Sequence, residues 1–289
     1  MKLGLHSVIF PESLNVLQKI EYTAKTGYDA IELETGPFFA SSSRPPRNVV
    51  ARFLDKEARS EIIGHAKNYG VKIRSLCFGM FVSPYYHIVD PDPRYRDLAV
   101  SQIVETIGLA RDFESDVILV FVPETSPMRR LLTNDQKRDL LRESLLKLVR
   151  FAEDAGVVIG LEPSAPSFFA GWKDILSAIS SVNSESIACY YDVGNAANMG
   201  FQPDEEMLKL GNAIIQIHVK ELRLPPEKVV PRFPSIGQGA MDWDRIFSSL
   251  KSIDYQRYLI VELYPDPADP YRVARESKKF LEKYISQSL

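Results

Sequence analysis

The stretch Val157-Val158-Ile159-Gly160-Leu161-Glu162-Pro163 decides how the chain folds. Its apolar run is too short and too rich in β-branched residues for a helix, and it ends on one carboxylate followed by a proline that cannot continue a ladder. Three later runs close in the same manner: IACYYD (187–192), AIIQIH (213–218) and YLIVE (258–262). Each sets one polar side chain, Glu162, Asp192, His218 or Glu262, at the C-terminal end of a strand-like segment. Singly, each has an ordinary explanation: a carboxylate paired with a nearby cation, an aspartate capping a helix, a core histidine bonded to backbone. Four in succession share no such explanation. In a closed parallel sheet those ends converge on one mouth, where residues distant in sequence can surround a single ion. The pattern predicts a metalloenzyme.

Working outward, the first half supplies four more runs, LGLHSVIF (3–10), DAIELE (29–34), VKIRSLCF (71–78) and DVILVFV (116–122). Amphipathic segments alternate with them, near 12–26, 54–69, 94–113, 133–155, 172–182, 203–211, 242–252 and 269–286. Their apolar residues recur at three and four, as at Leu141, Leu145, Leu148 and Ala152. Gly27, Gly70 and Gly156 stand where a helix C-cap needs a left-handed residue before the next strand. Eight βα repeats without a linker predict a (β/α)8 TIM barrel, with residues 1–289 forming one domain whose long βα loops build the active-site face. Prolines such as Pro37, Pro84, Pro123 and Pro163 cluster after strands rather than before them, which lengthens that face. No Gly-x-Gly-x-x-Gly follows the first strand, which weighs against a dinucleotide-binding fold.

Composition narrows the function. With 289 residues, 45% hydrophobic and 25% charged, the chain has the makeup of a soluble globular protein. Lys+Arg 35 against Asp+Glu 38 gives a net charge of −3, and no basic run could track a phosphate backbone, so nucleic acid is not an expected partner. No apolar segment has the length of a membrane span or a signal core, so neither membrane association nor export is expected and a cytoplasmic location is. Cys77 and Cys189 lie in apolar runs and read as small buried hydrophobes, not as a disulfide framework.

Two glutamates, one aspartate and one imidazole make an oxygen-rich donor set suited to one divalent ion, Mn2+ first, with Mg2+, Co2+ or Zn2+ in the same range. No thiolate completes a closed structural site, so a position for substrate stays open. Asn195 returns an amide towards the mouth, Gly194 allows a tight backbone path beside it, and His6 on the first strand can reach the same place. Lys220, Arg223 and Arg232 gather three cations near Gly237-Gln238-Gly239, enough to hold a phosphate or several hydroxyls.

These residues carry a resemblance to a known family. From GYDAIELE (27–34) through LEP (161–163), YDVGN (191–195), IHVKE (217–221), IGQGAMDW (236–243) and IVEL (260–263), the chain resembles the xylose isomerase-like barrel superfamily of sugar and sugar-phosphate isomerases and epimerases. Asp-x-Gly-Asn, and Arg232 five residues before the glycine pair, look most like the ketose-phosphate 3-epimerases. The resemblance implies that Glu162, Asp192, His218 and Glu262 hold the ion and that Glu162 and Glu262 form an acid–base pair. It implies proton transfer at a carbon beside a carbonyl, through a metal-stabilised enediolate, on a small sugar or sugar phosphate. A homodimer or homotetramer is the implied assembly. An inosose-type dehydratase, a hydroxypyruvate isomerase and a non-catalytic sugar-binding barrel are the alternatives on this scaffold. Many members have histidine at the place of Asn195 and Gly-Glu-Gly at 237–239, and Phe168 stands where free-ketohexose 3-epimerases carry a glutamate. Endonuclease IV, in the same superfamily, needs more histidines than the four present here.

Overall fold

The alternating runs become strands β1 (Lys2–His6), β2 (Ala30–Thr35), β3 (Lys72–Phe78), β4 (Val117–Phe121), β5 (Val158–Glu162), β6 (Ile187–Asp192), β7 (Ile214–Val219) and β8 (Tyr258–Val261). The protein is seen in a computed structural model that describes residues 1–11, 13–35, 54–78, 87–122, 124, 130–163, 168–221, 234–263 and 269–286. Every strand pairs in parallel with its sequence neighbour, and β8 returns to β1 with Lys2 to Leu5 opposite Tyr258 to Val261, which closes the barrel. Around it lie helices α1 (Val16–Lys25), α2 (Lys56–Asn68), α3 (Pro93–Asp112), α4 (Asn134–Ala155), α5 (Trp172–Val182), α6 (Val193–Asn198), α7 (Pro203–Leu210), α8 (Trp243–Ser252) and α9 (Pro270–Ser286). The expected TIM barrel is the fold observed.

Local chemistry explains the boundaries. Asn15 with Gln18 and Thr133 with Gln136 form capping boxes that start α1 and α4. Gly27, Gly70 and Gly156 take φ of 87°, 67° and 65°, the left-handed turn read from the sequence. Among the described residues no helix is long and apolar enough to cross a membrane.

Strand periodicity of two divides the side chains into two layers. Outward residues such as Leu5, Ile31, Leu33, Ile159, Leu161, Ile217 and Leu259 join the helices in the main core. A smaller cluster, Cys77, Val117, Leu119 and Tyr190, fills the barrel interior, and both cysteines are buried and unpaired with each other. Gly160 makes room there, because a Cβ on it would lie 2.8 Å from Cβ of Tyr190. The register shifts opposite Ile31/Glu32, where Arg74 is the extra residue on β3, and opposite Cys189/Tyr190, where Ile215 is the extra residue on β7, so the side chains after them, from Ser75 and from Gln216, are re-aimed.

Two details differ from the sequence reading. A short helix, α6, begins directly after Asp192, whose side chain caps it by accepting from Asn195 N–H at 2.8 Å. Gly194 lies inside that helix, and its lack of a side chain serves a close approach, since a Cβ would stand 2.4 Å from Lys220 Cγ.

Candidate metal centre

Glu162 and Asp192 are the last residues of β5 and β6, His218 lies one before the end of β7, and Glu262 follows β8 directly. The β8 ladder continues through Glu262, whose N–H donates to Val219 carbonyl at 3.1 Å. Asp192 is in register with His218, while Glu262 lies two residues beyond Ile260, the register partner of His218 on β8. Each offers a ligand atom, and these atoms lie within 4.8 Å of one another. His218 Nδ1 is 3.1 Å from Glu262 Oε2, 3.5 Å from Glu162 Oε1 and 3.8 Å from Asp192 Oδ2.

Three buried carboxylates in contact need positive charge. Lys220 provides some of it, with Nζ 2.7 Å from Asp192 Oδ2 and 3.0 Å from Glu262 Oε2. Burial works against the charge on Lys220, but Asp192 and Glu262 outweigh it and hold the ammonium well above its usual range. Glu262 is likewise desolvated, yet Lys220 and His218 keep its carboxyl well below the ordinary value. Asp192 goes the other way: burial raises it to about 7, with Glu262 and Glu162 adding to the rise and Lys220 opposing it. His218 is raised well above 6.5, because Glu32 and Glu262 overcome the desolvation of its ring.

The residues present fit a divalent cation. Nδ1 of His218 and Oδ2 of Asp192 are buried without a hydrogen-bond partner, although both have charged neighbours. Carboxylate oxygens with one imidazole nitrogen are the donors that Mn2+, Mg2+, Co2+ and Zn2+ accept.

The other expected residues fall in different places. Asn195 donates through Nδ2 to Glu162 Oε1 at 3.2 Å, so it faces a carboxylate of the cluster. Lys220 lies within the cluster itself. His6 meets Glu32: its Nδ1 accepts from Val8 N–H at 3.0 Å, and its Nε2 lies 3.3 Å from Glu32 Oε1. Burial lowers the His6 pKa to about 4. Arg223 and Arg232 lie outside the described residues. The glycines at 237 and 239 pack against the protein's own side chains, since Cβ atoms there would come within 2.4 Å of Phe280 and 2.1 Å of Glu221.

Glu32 is a site residue that the sequence reading passed over. It is completely buried, and its Oε1 accepts from His218 Nε2 at 2.6 Å. The signal was present in DAIELE, where two carboxylates at alternate positions interrupt an apolar strand and therefore share its inner face.

Known proteins share this architecture. The family model for the xylose isomerase-like TIM barrel matches residues 20–284. An L-ribulose-5-phosphate 3-epimerase, UlaE, of Salmonella paratyphi A is 23% identical over 270 residues, covering 92% of this chain and 88% of the relative. Among solved structures, D-psicose 3-epimerase with D-tagatose from Clostridium cellulolyticum H10 superimposes with TM-score 0.81 at 16% identity, covering 98% of this chain and 99% of the other. The IOLI protein with a binding zinc atom gives TM-score 0.79 at 17% identity, covering 100% of this chain and 99% of the other.

Proposed function

The chain belongs to the xylose isomerase-like TIM barrel family, and from that premise we propose that it is a divalent-metal-dependent sugar or sugar-phosphate epimerase. The observation that carries the reading is the meeting of Glu162, Asp192, His218 and Glu262, one from each of four successive strand ends, within 4.8 Å. Its 3-epimerase relative UlaE supports a ketose phosphate as the substrate class.

Glu162, Asp192, His218 Nδ1 and Glu262 would hold the ion. When bound, it supplies charge stabilisation for the enediolate that forms as a proton leaves the carbon beside a carbonyl. The protein's own groups do the rest. Glu162 ends β5 and Glu262 follows β8, the first and last of the four strands that supply the cluster. One takes the C3 proton, and the other returns a proton to the opposite face, so C3 inverts and no atom is gained or lost. Removal of the C1 proton instead, with a proton returned at C2, would interconvert ketose and aldose. A carboxylate can serve this way only while one oxygen stays off the ion. Asn195 Nδ2 donates to Glu162 Oε1, the oxygen 3.5 Å from His218 Nδ1, which would leave Oε2 to act on substrate, and Lys220 would meet charge developing on substrate oxygen.

Ketoses and their phosphates incubated with the protein and Mn2+ in heavy water test the reading. Deuterium at C3, together with the C3 epimer, is the expected result. E162Q and E262Q should each lose about 100- to 10,000-fold in rate, the usual worth of a positioned acid or base. Product that has lost water would identify a dehydratase. Full activity in either variant would end the acid–base assignment, and sugar binding by a chain that binds no metal would favour the non-catalytic alternative.

A further inference from the structure

Below the four candidate ligands a column of polar side chains runs through the barrel interior, and its hydrogen bonds can be assigned a direction. Arg74 Nε is 2.9 Å from Gln216 Oε1. Arginine has no acceptor, so the amide oxygen of Gln216 must face it and the amide N–H groups must face away. They donate to Ser75 Oγ at 2.7 Å and to Tyr190 OH at 2.8 Å. Each hydroxyl thus has its oxygen engaged as an acceptor and turns its own hydrogen onward. Both hydrogens go to Glu32 Oε2, at 2.5 Å from Ser75 and 2.5 Å from Tyr190. Glu32 only accepts, so its other oxygen, Oε1, takes the Nε2 hydrogen of His218 at 2.6 Å. His218 is left with Nδ1 facing Glu262, Glu162 and Asp192.

We propose that Glu32 is a positioning residue for the metal centre: it holds a hydrogen on His218 Nε2, so that Nδ1 is the nitrogen that gives up its proton and lends its lone pair to an incoming ion. The direction of the whole column is set by Arg74, which is itself paired with Asp116 at the N-terminal end of β4. The proposal rests on the metal reading above. Partners in the second layer commonly fix the ring orientation and ligand quality of a ligating histidine. Here that partner is bound at three points, by Ser75, Tyr190 and His218, and His6 Nε2 lies 3.3 Å from its Oε1. Three converging donors suit a carboxylate, which only accepts.

The same contacts argue against a second ion in the column. His6, Glu32 and Cys77 also offer atoms within 4.8 Å of one another. His6 Nδ1, however, accepts from Val8, so the neutral ring carries its hydrogen on Nε2 and has no lone pair to give.

Calorimetric titration of the full chain with Mn2+, in wild type, E32Q and Y190F, tests the assignment. Gln at position 32 has one acceptor oxygen and must aim an N–H either at His218 or at the two hydroxyls, so the column cannot keep its direction. E32Q should weaken Mn2+ binding by about 10- to 100-fold, the usual effect of losing such a partner. Y190F removes one donor to Oε2 while leaving the Glu32–His218 bond, and should lose less. In Zn2+-loaded wild type the His218 Nε2–H proton should give a slowly exchanging downfield resonance, which E32Q loses. Unchanged Mn2+ affinity in E32Q would overturn the proposal. So would equal losses in E32Q and Y190F that follow their melting temperatures, since that is the mark of a role in core integrity alone. A wild-type chain that binds no Mn2+ overturns the metal reading first, and that result is read before either variant is made.

Discussion

Glu34 shows how a single residue departs from its neighbours. It lies two positions after Glu32 on the same face of β2, is only 4% exposed, and its Oε1 has no hydrogen-bond partner. Burial raises its carboxyl from 4.5 to about 7, with Lys19 opposing the shift and Glu262 and Glu32 adding to it. A folded-state pKa above the unfolded one means stability that is present at low pH and lost as pH rises through the folded value. The loss here falls between about pH 4.5 and pH 7 and amounts to roughly 3 kcal/mol, at about 1.4 kcal/mol per unit. E34Q cannot ionise. Thermal unfolding should therefore show E34Q gaining on wild type as pH rises from about 5 to about 8, and a difference independent of pH would refute the assignment. At this scale the four candidate ligands could be read from the sequence, because each ends an apolar run. Glu32, Tyr190 and Gln216 were harder, since their meaning lies in one another. Only the closed barrel brings β2, β6 and β7 close enough for a carboxylate, a phenol and an amide to form one column.

The elements follow simple local rules: the eight strands, the longer helices and the three glycine caps expected from periodicity are observed, although the first run is a strand only as far as His6. What periodicity could not show was how loops attach to them. Gly237 and Gly239 stand near the cations expected to hold a phosphate, whereas the space beside them is taken by Phe280 and by Glu221 just beyond β7. Glu221 is 1% exposed and accepts from Gly237 N–H at 2.9 Å, Met241 N–H at 2.8 Å and Trp243 Nε1–H at 3.1 Å. It therefore ties the segment before α8 to the end of β7. An amide offers one acceptor oxygen where the carboxylate uses two. E221Q should cost about 2 kcal/mol by denaturant unfolding and speed hydrogen exchange at the Gly237 and Met241 amides, with the strand amides still protected. Unchanged exchange at those two amides would show that the anchor lies elsewhere. The helix α6 was missed for a related reason: six residues are too few for a periodic signal, and its start depends on the Asp192 cap.

Across the whole molecule, the barrel converts separation in sequence into contact. From Glu162 to Glu262 the ligand types come from four strands, and closure through β8 and β1 brings Glu32 under His218 as well. The mouth therefore concentrates negative charge that Lys220 and His218 only partly offset, and a divalent ion completes the balance. Anomalous diffraction from crystals soaked in Mn2+ measures this directly. One peak is predicted, about 2 Å from oxygens of Glu162, Asp192 and Glu262 and from Nδ1 of His218. No peak among these four residues, or a peak bound elsewhere in the chain, would contradict it.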